Sequence, residues 1–237
     1  MAATRSDRSL VLIGSGPGIG VSVASLFAAK RFGKVVLIAR RAEQLAADKR
    51  AVEAAAVTEG LLQVRVKTYA VDVVDTPALL AALDDAEAAF GKPEVVFFNA
   101  ARVLPSALLE HDVAEIEYDL KITVSALYAV AKREVPGLAA LARADATARP
   151  ALMVTSSTLP QQPIPQVFSL SLAKAAQRNL VQSLVLTYAP GVHIGLVVVD
   201  GPVAPTHETR NPANIAAKTW EWFAQARESP SFEVEIA

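Results

Sequence analysis

A glycine-rich turn follows the first apolar segment, and its residue types suit the binding of an anion. Four apolar residues, Leu10–Ile13, lead into four closely spaced glycines, and residues 21–32 carry apolar side chains at helical spacing. Glycines let the backbone close on a phosphate, and the N-terminus of the next helix offers free N–H groups. Some such clusters are only tight turns, so the pattern alone is weak. The candidate phosphate-binding residues are Gly14, Ser15, Gly16, Gly18, Ile19 and Gly20.

Small or polar residues also stand at the ends of later predicted strands. They are Asp72, which Val73 follows, at the third strand, Asn99, Ala100 and Ala101 after the fourth, and Ser157 after the fifth. In an open parallel sheet, ligands bind beyond the carboxyl ends of the strands, near the topological switch point. We therefore expect these residues to lie around one site with the glycine turn.

Strands and helices alternate along the whole chain. The predicted strands are 10–13, 35–39, 64–73, 95–98, 151–155, 193–199 and 232–236, and the predicted helices are 21–32, 41–57, 77–90, 113–135, 169–188 and 212–225. The helix from residue 113 is expected to stop at Pro136-Gly137. The pattern predicts an α/β fold with a single Rossmann-type, doubly wound parallel sheet of about seven strands and helices on both faces. We expect one domain over residues 1–237.

Composition narrows the possible partners. The formal net charge of −1 gives no support to nucleic acid or an anionic membrane as the main partner. The chain has no cysteine, and its three histidines lack metal-ligand spacing, so no metal site is expected. Residues 1–9 do not form a signal peptide, and no apolar run is long enough to cross a bilayer. These features favour a cytoplasmic protein.

Together, these motifs resemble those of the short-chain dehydrogenase/reductase family. The glycine motif has the family's spacing, Gly14-x-x-x-Gly18-Ile19-Gly20, and Asn99-Ala100-Ala101 is similar to its Asn-Ala-Gly. The resemblance implies a bound nicotinamide cofactor and a small-molecule substrate. It further implies cofactor contacts from Asp72-Val73 to adenine, from Lys174 to ribose, and from the loop Gly201, Pro202 and Val203. Asp72 has a second interpretation, as a helix cap or turn acid.

The residues after the second predicted strand bear on the choice of cofactor. Ala39 lacks the carboxylate that would bind a free ribose 2′-hydroxyl. Arg40 and Arg41 follow it, and a 2′-phosphate needs cations at that place. The alternative is that both arginines are solvated residues at a helix start. We expect NADP, with NAD as the less favoured cofactor.

The expected active-site tyrosine is missing. In the family it lies four residues before the lysine and thirteen after the serine, and both counts lead to Leu170. No tyrosine occurs between Tyr128 and Tyr188. Leucine cannot donate a proton, so ordinary carbonyl reduction lacks its acid. Of the implied catalytic residues, Ser157 and Lys174 are present.

The family's relay asparagine aligns with Asp119, which is also assigned to the catalytic set. This aspartate could be an acid with a raised pKa, or an ion-pair partner of Lys174 or Lys121.

We therefore expect a divergent NADP(H)-binding oxidoreductase that acts on a small organic carbonyl, enone or imine-like substrate. The alternatives are a non-redox isomerase, lyase or cyclase on the same scaffold, and a catalytically inactive dinucleotide-binding protein. The resemblance also implies a homodimer or homotetramer.

Overall fold

Seven parallel strands form one sheet in the structure, a computed structural model that describes residues 7–58, 64–225 and 228–237. In chain order the strands are β1 (Ser9–Ile13), β2 (Lys34–Ala39), β3 (Arg65–Ala70), β4 (Val95–Phe98), β5 (Ala151–Ser157), β6 (His193–Val199) and β7 (Glu233–Ile236). Their order across the sheet is β3-β2-β1-β4-β5-β6-β7. The predicted doubly wound sheet is confirmed. Residues 1–6, part of the segment in which no signal peptide was expected, lie outside the described residues.

Helices cover both faces of the sheet. They are α1 (Ile19–Lys30), α2 (Ala42–Thr58), α3 (Thr76–Phe90), α4 (Val113–Leu120), α5 (Ala126–Ala144), α6 (Phe168–Tyr188) and α7 (Pro212–Phe223). Side chains of α1, α2 and α7 form the core on one face, and those of α3, α5 and α6 form the core on the other. No helix in the described ranges is both long enough and apolar enough to span a membrane.

The central strands are buried along their whole length because both faces of the sheet are covered. Every residue of β1 and β4 is buried, which explains why these strands are continuous apolar runs. β2 pairs with one side of β1 and β4 with the other, so the strand order reverses at β1. The resulting crevice at the carboxyl ends of β1 and β4 is where ligands bind in folds of this class.

The prediction that the long helix stops at Pro136 is wrong, because α5 continues to Ala144. A proline inside a helix loses one backbone hydrogen bond and crowds the preceding turn. Here Val135 and Leu138 are both 1% exposed, so the buried face of the helix continues past the exposed proline. A π-helical turn, Lys121–Ser125, also separates α4 from α5, and the sequence pattern did not indicate it.

The third strand is shorter than predicted. Its partner β2 ends at Ala39, which pairs with Ala70, and the ladder stops there. Beyond it, the Asp72 carboxylate accepts a hydrogen bond from the N–H of Val74 at 3.2 Å and forms a turn. Asp72 therefore lies beyond the strand end.

His193 is the first residue of β6, so it lies at the amino-terminal end of the strands, opposite the crevice at their carboxyl ends. Its ring packs against Trp222 with 4.4 Å between centroids, and its Nε2 is buried without a hydrogen-bond partner among the described residues. Burial lowers the pKa of His193 to about 4, and a hydrogen bond with the Ser231 backbone opposes part of that shift.

This buried imidazole predicts a loss of stability in acid. The unfolded chain binds the proton at about pH 6.5, whereas the folded chain binds it only near 4, so stability falls as pH drops through that window. Between pH 6.5 and 4, the free energy of unfolding measured in urea should fall by up to about 3 kcal/mol more in wild type than in His193→Gln. Parallel pH profiles for the two proteins would contradict this assignment.

Candidate functional site

The glycine turn after β1 is held close to the end of β4. Gly14 has a φ of +92°, and a Cβ built on it would lie 2.5 Å from the backbone N of Ala100. The N–H groups of Gly14 and Ser15 both donate to the carbonyl of Ile38, at 2.8 and 3.1 Å. A Cβ on Gly20 would lie 2.9 Å from the carbonyl oxygen of Gly14. Gly14 and Gly20 are therefore required for the close packing of the turn itself.

The other two glycines of the turn face open space. A Cβ on Gly16 or Gly18 would meet nothing within 4 Å among the described atoms. Gly18 is the N-cap of α1, and the described structure shows neither a side-chain cap nor an acidic residue in the first turn of that helix. Free N–H groups and the positive end of the helix dipole thus face an open surface, as an anion site requires.

Asn99 ties the glycine turn to β5. Its Nδ2 donates to the carbonyl oxygen of Gly14 at 2.9 Å, and its Oδ1 accepts a hydrogen bond from Thr155 Oγ1 at 2.7 Å. Both ends of the amide are used within the protein. Asn99 therefore fixes the ends of β1, β4 and β5 relative to one another.

A cleft lies beside this turn, at the switch point of the sheet. It is lined by Gly14, Ser15, Ala39, Arg40, Arg41, Gln44, Val71, Asp72, Val73, Asn99, Ala100, Ala101 and Ile122. Nine of these are residues that the sequence assigned to the cofactor. Arg40 and Arg41 are exposed and form no salt bridge within the described part of the chain. The cleft is therefore open, with two available cations on one wall.

Ser157, Leu170 and Lys174 lie outside the lining of this cleft. Ser157 ends β5, and its hydroxyl oxygen accepts a long bond of 3.4 Å from the N–H of Leu159. Its O–H has no acceptor among the described residues. Leu170 is buried on the first turn of α6, four residues before Lys174.

Lys174 is held in the interior one turn further along α6. Its Nζ donates to the carbonyl of Thr155 at 2.7 Å and to Gln177 Oε1 at 3.0 Å. Burial lowers the pKa of Lys174 to about 7. One N–H of the ammonium is left for a contact outside this pair.

Asp119 is buried, but it does not pair with Lys174 or Lys121, the two ion-pair partners considered from the sequence. Its Oδ1 accepts a hydrogen bond from Arg102 Nε and its Oδ2 one from the Ser169 hydroxyl, both at 2.6 Å. The hydrogen bond with Asp119 is the main cause that raises the pKa of the Arg102 guanidinium. Asp119 thus links the loop after β4 to the start of α6.

The loop after β6 places the last predicted residues on the surface. Gly201, Pro202 and Val203 are exposed, and Gly201 has a φ of +114° that favours glycine. The guanidinium of Arg210 lies against Gly201 and donates to the carbonyl of Asp200. Asp200 also accepts a hydrogen bond from the Thr158 hydroxyl at 2.8 Å, which joins the loops that follow β5 and β6.

Sequence reasoning missed three polar residues of this region. Gln44 lines the cleft, Arg102 pairs with Asp119, and Asp48 is buried behind Ser15. Asp48 could have been found, because it lies on the same helical face as Leu45 and Val52 and is charged. Arg102 lies in an irregular loop, where periodicity gives no information. No group of three or more metal-ligating side chains is present in the described ranges.

The chain belongs to the short-chain dehydrogenase/reductase family. Residues 8–213 match the family model described as short chain dehydrogenase. Over 223 residues the chain is 31% identical to the cis-4-hydroxycyclohexanecarboxylate dehydrogenase of Sinomonas cyclohexanicum, covering 92% of this chain and 84% of that protein. The family binds NAD(P) and acts on small molecules, so the chain is an oxidoreductase by family.

Two solved structures share the fold. A metagenomic short-chain oxidoreductase in complex with NADP has a TM-score of 0.79 at 23% identity and covers 98% of both chains. A short-chain oxidoreductase of Pseudomonas aeruginosa PAO1, which contains an atypical catalytic center, has a TM-score of 0.81 at 19% identity. That match covers 99% of this chain and 97% of the other.

The two kinds of glycine in the turn predict different effects of adding a methyl group. Gly14→Ala forces a Cβ against the backbone of Ala100 at a positive φ, so we expect a loss of about 2–4 kcal/mol in unfolding free energy. Gly16→Ala adds its methyl to open space and should change stability by less than about 1 kcal/mol. Urea unfolding of both variants checks this. Equal losses would show that the chain around Gly14 can move to accept a methyl group.

Proposed function

We propose that the protein is an NADP(H)-binding oxidoreductase that acts on a small organic carbonyl, enone or imine-like compound without the usual tyrosine acid. The observation that carries the proposal is the pairing of an open, arginine-bearing cleft with an aliphatic residue, Leu170, at the place of the proton donor. Bound NADPH would supply a hydride at the carboxyl ends of the strands.

The residues around the cleft fit the cofactor. Gly16 and Gly18 leave room beside the uncapped N-terminus of α1, which would hold the diphosphate. The cleft between the glycine turn and Asp72 would take the adenosine end. Arg40 and Arg41 would pair with the 2′-phosphate, since guanidinium groups bind phosphates in a bidentate manner.

At the reacting end, the chain retains a hydrogen-bond donor but not the expected acid. The Ser157 hydroxyl would donate to the substrate oxygen or nitrogen. Lys174 would use its remaining N–H toward the cofactor ribose. A positioned general acid is worth 10²–10⁴ in rate, so the protein would favour acceptors that need no strong protonation, such as a conjugated or cationic carbon–nitrogen or carbon–oxygen system.

The curated relative supports a small alicyclic compound as one candidate substrate, because its name specifies a hydroxycyclohexanecarboxylate. The second structural neighbour supports the idea that this fold accommodates an altered catalytic centre. A panel of cyclic ketones, enones and imines is therefore the appropriate first screen.

A second candidate is a protein that binds the cofactor without consuming it, either as a non-redox isomerase, lyase or cyclase or as an inactive binding protein. The specific observation in its favour is the position of Lys174, whose Nζ is engaged with Thr155 and Gln177. A protein that binds NADPH but leaves its absorbance at 340 nm unchanged with every acceptor would support this candidate.

We also propose that the protein forms a homodimer or homotetramer through its long helices. The exposed side chains of Tyr128 on α5, and of Leu172 and Leu186 on α6, support this arrangement.

The two arginines should decide the affinity for the phosphorylated cofactor. We expect Arg40→Ala and Arg41→Ala each to weaken NADPH binding about tenfold or more, because each removes a charge-assisted hydrogen bond. NADH binding should change less than about threefold. Fluorescence titration of both cofactors measures this, with Arg50→Ala on the exposed face of α2 as the control. Equal weakening of NADPH and NADH would exclude a 2′-phosphate contact.

Restoring the missing hydroxyl should restore carbonyl reduction. Leu170→Tyr places a phenol one helical turn before Lys174, and we expect the rate of ketone reduction by NADPH to rise at least about a hundredfold. Leu170→Phe is the matched control, since it adds the ring without the acid. If both variants fold and bind NADPH but reduce ketones equally slowly, then Ser157, residue 170 and Lys174 do not form an active site.

A further inference from the structure

Asp48 is a buried carboxylate directly behind the wall of the cleft. It lies in the second turn of α2, and its helical neighbours on the inward face, Leu45 and Val52, are also buried. Asp48 itself is only 2% exposed. A charged residue at such a position is unfavourable unless its oxygens are satisfied.

Both oxygens of Asp48 are satisfied by neutral donors that line the cleft. The Ser15 hydroxyl donates to Oδ2 at 2.6 Å, and Gln44 Nε2 donates to Oδ1 at 2.7 Å. No salt bridge to Asp48 is found within the described ranges. Its negative charge is therefore not cancelled by a direct partner, although Arg40 and Arg41 line the same cleft.

The bond to Asp48 determines what Ser15 can offer a ligand. A serine hydroxyl has one hydrogen, and here that hydrogen points to the carboxylate. Toward the cleft Ser15 can therefore act only as an acceptor. A free ribose hydroxyl can donate to it, whereas a 2′-phosphate dianion carries only acceptor oxygens.

We propose that Asp48 is a positioning residue for cofactor selection, which acts through Ser15 to present an acceptor to the 2′-hydroxyl of the adenosine ribose. The cleft then takes NAD(H) as well as NADP(H). The acceptor at Ser15 thereby reduces the preference for the phosphorylated cofactor, which Arg40 and Arg41 provide. This inference rests on the proposed function, since it assumes that the cleft holds the adenosine end of a dinucleotide.

The test is a calorimetric titration of NADPH, NADH, adenosine 2′,5′-bisphosphate and 5′-AMP, which needs no turnover. Wild type should bind both dinucleotides, with a preference for NADPH below about a hundredfold. In Asp48→Asn the amide can donate to Ser15 and free its hydroxyl hydrogen for a phosphate oxygen. We expect the ratio of NADPH to NADH affinity, and that of the bisphosphate to 5′-AMP, to rise about tenfold.

Two further single variants and one double variant test whether the effect of Asp48 passes through Ser15 or comes from its charge alone. Glu53→Gln removes one negative charge from the same helix, where the half-buried Glu53 pairs only with Lys49 among the described residues, and it should leave both ratios unchanged. Ser15→Ala removes the acceptor and should also raise both ratios. Adding Asp48→Asn to Ser15→Ala should then change them by less than about threefold, because the two residues act in series.

The outcomes are distinguishable. Unchanged ratios in Asp48→Asn and Ser15→Ala, with circular dichroism like that of wild type, would overturn the inference and leave the proposed function standing. An equal shift in Glu53→Gln, or a wild type that excludes NADH, would also overturn it. If wild type binds none of the four ligands, the proposed function itself is overturned. If Asp48→Asn does not fold, Ser15→Ala alone decides the result.

Discussion

The site depends on the side chain of Asn99. Its amide donates to the carbonyl of Gly14 and accepts the hydroxyl of Thr155, so three neighbouring strand ends are fixed by one planar group. The Gly14 turn can approach Asn99 and Ala100 this closely only because it has no Cβ. The carbonyl of Thr155 in turn receives the ammonium of Lys174. One chain of hydrogen bonds thus connects the glycine turn, on the proposed cofactor side of the crevice, with Lys174, on the proposed reacting side.

The two sides of the crevice differ in their electrostatics. The cofactor side carries Arg40 and Arg41 at the surface and the buried Asp48 behind Ser15, so opposing charges act on the same region of a ligand. The reacting side has an aliphatic side chain at position 170 and a lysine whose burial lowers its pKa to about 7. Under the proposed function, the side with the two arginines would bind the cofactor, and the side with Leu170 would lack the usual proton donor.

The sequence was informative where local rules decide the structure. Apolar runs, the glycine spacing and the strand-end residues predicted the sheet and nine cleft residues, and counting from Ser157 and Lys174 located Leu170. It was less informative where long-range packing decides. Pro136 lies inside a helix because the burial of Leu138 outweighs a lost backbone bond. Asp119 pairs with Arg102, which lies in a loop whose course no periodicity defines. Asp48 could be recognised as inward-facing, but its partner Ser15 lies 33 positions away in the chain.

The most direct measurement is a crystal structure of the protein grown with NADPH. We predict adenosine density in the cleft between Gly14 and Asp72, and the 2′-phosphate within hydrogen-bond distance of Arg40 or Arg41. The Leu170 side chain should face the nicotinamide, with no carboxyl, imidazole or phenol group in contact with it. Cofactor density elsewhere on the chain, or a carboxyl, imidazole or phenol group in contact with the nicotinamide end, would contradict a retained binding cleft with a lost proton donor.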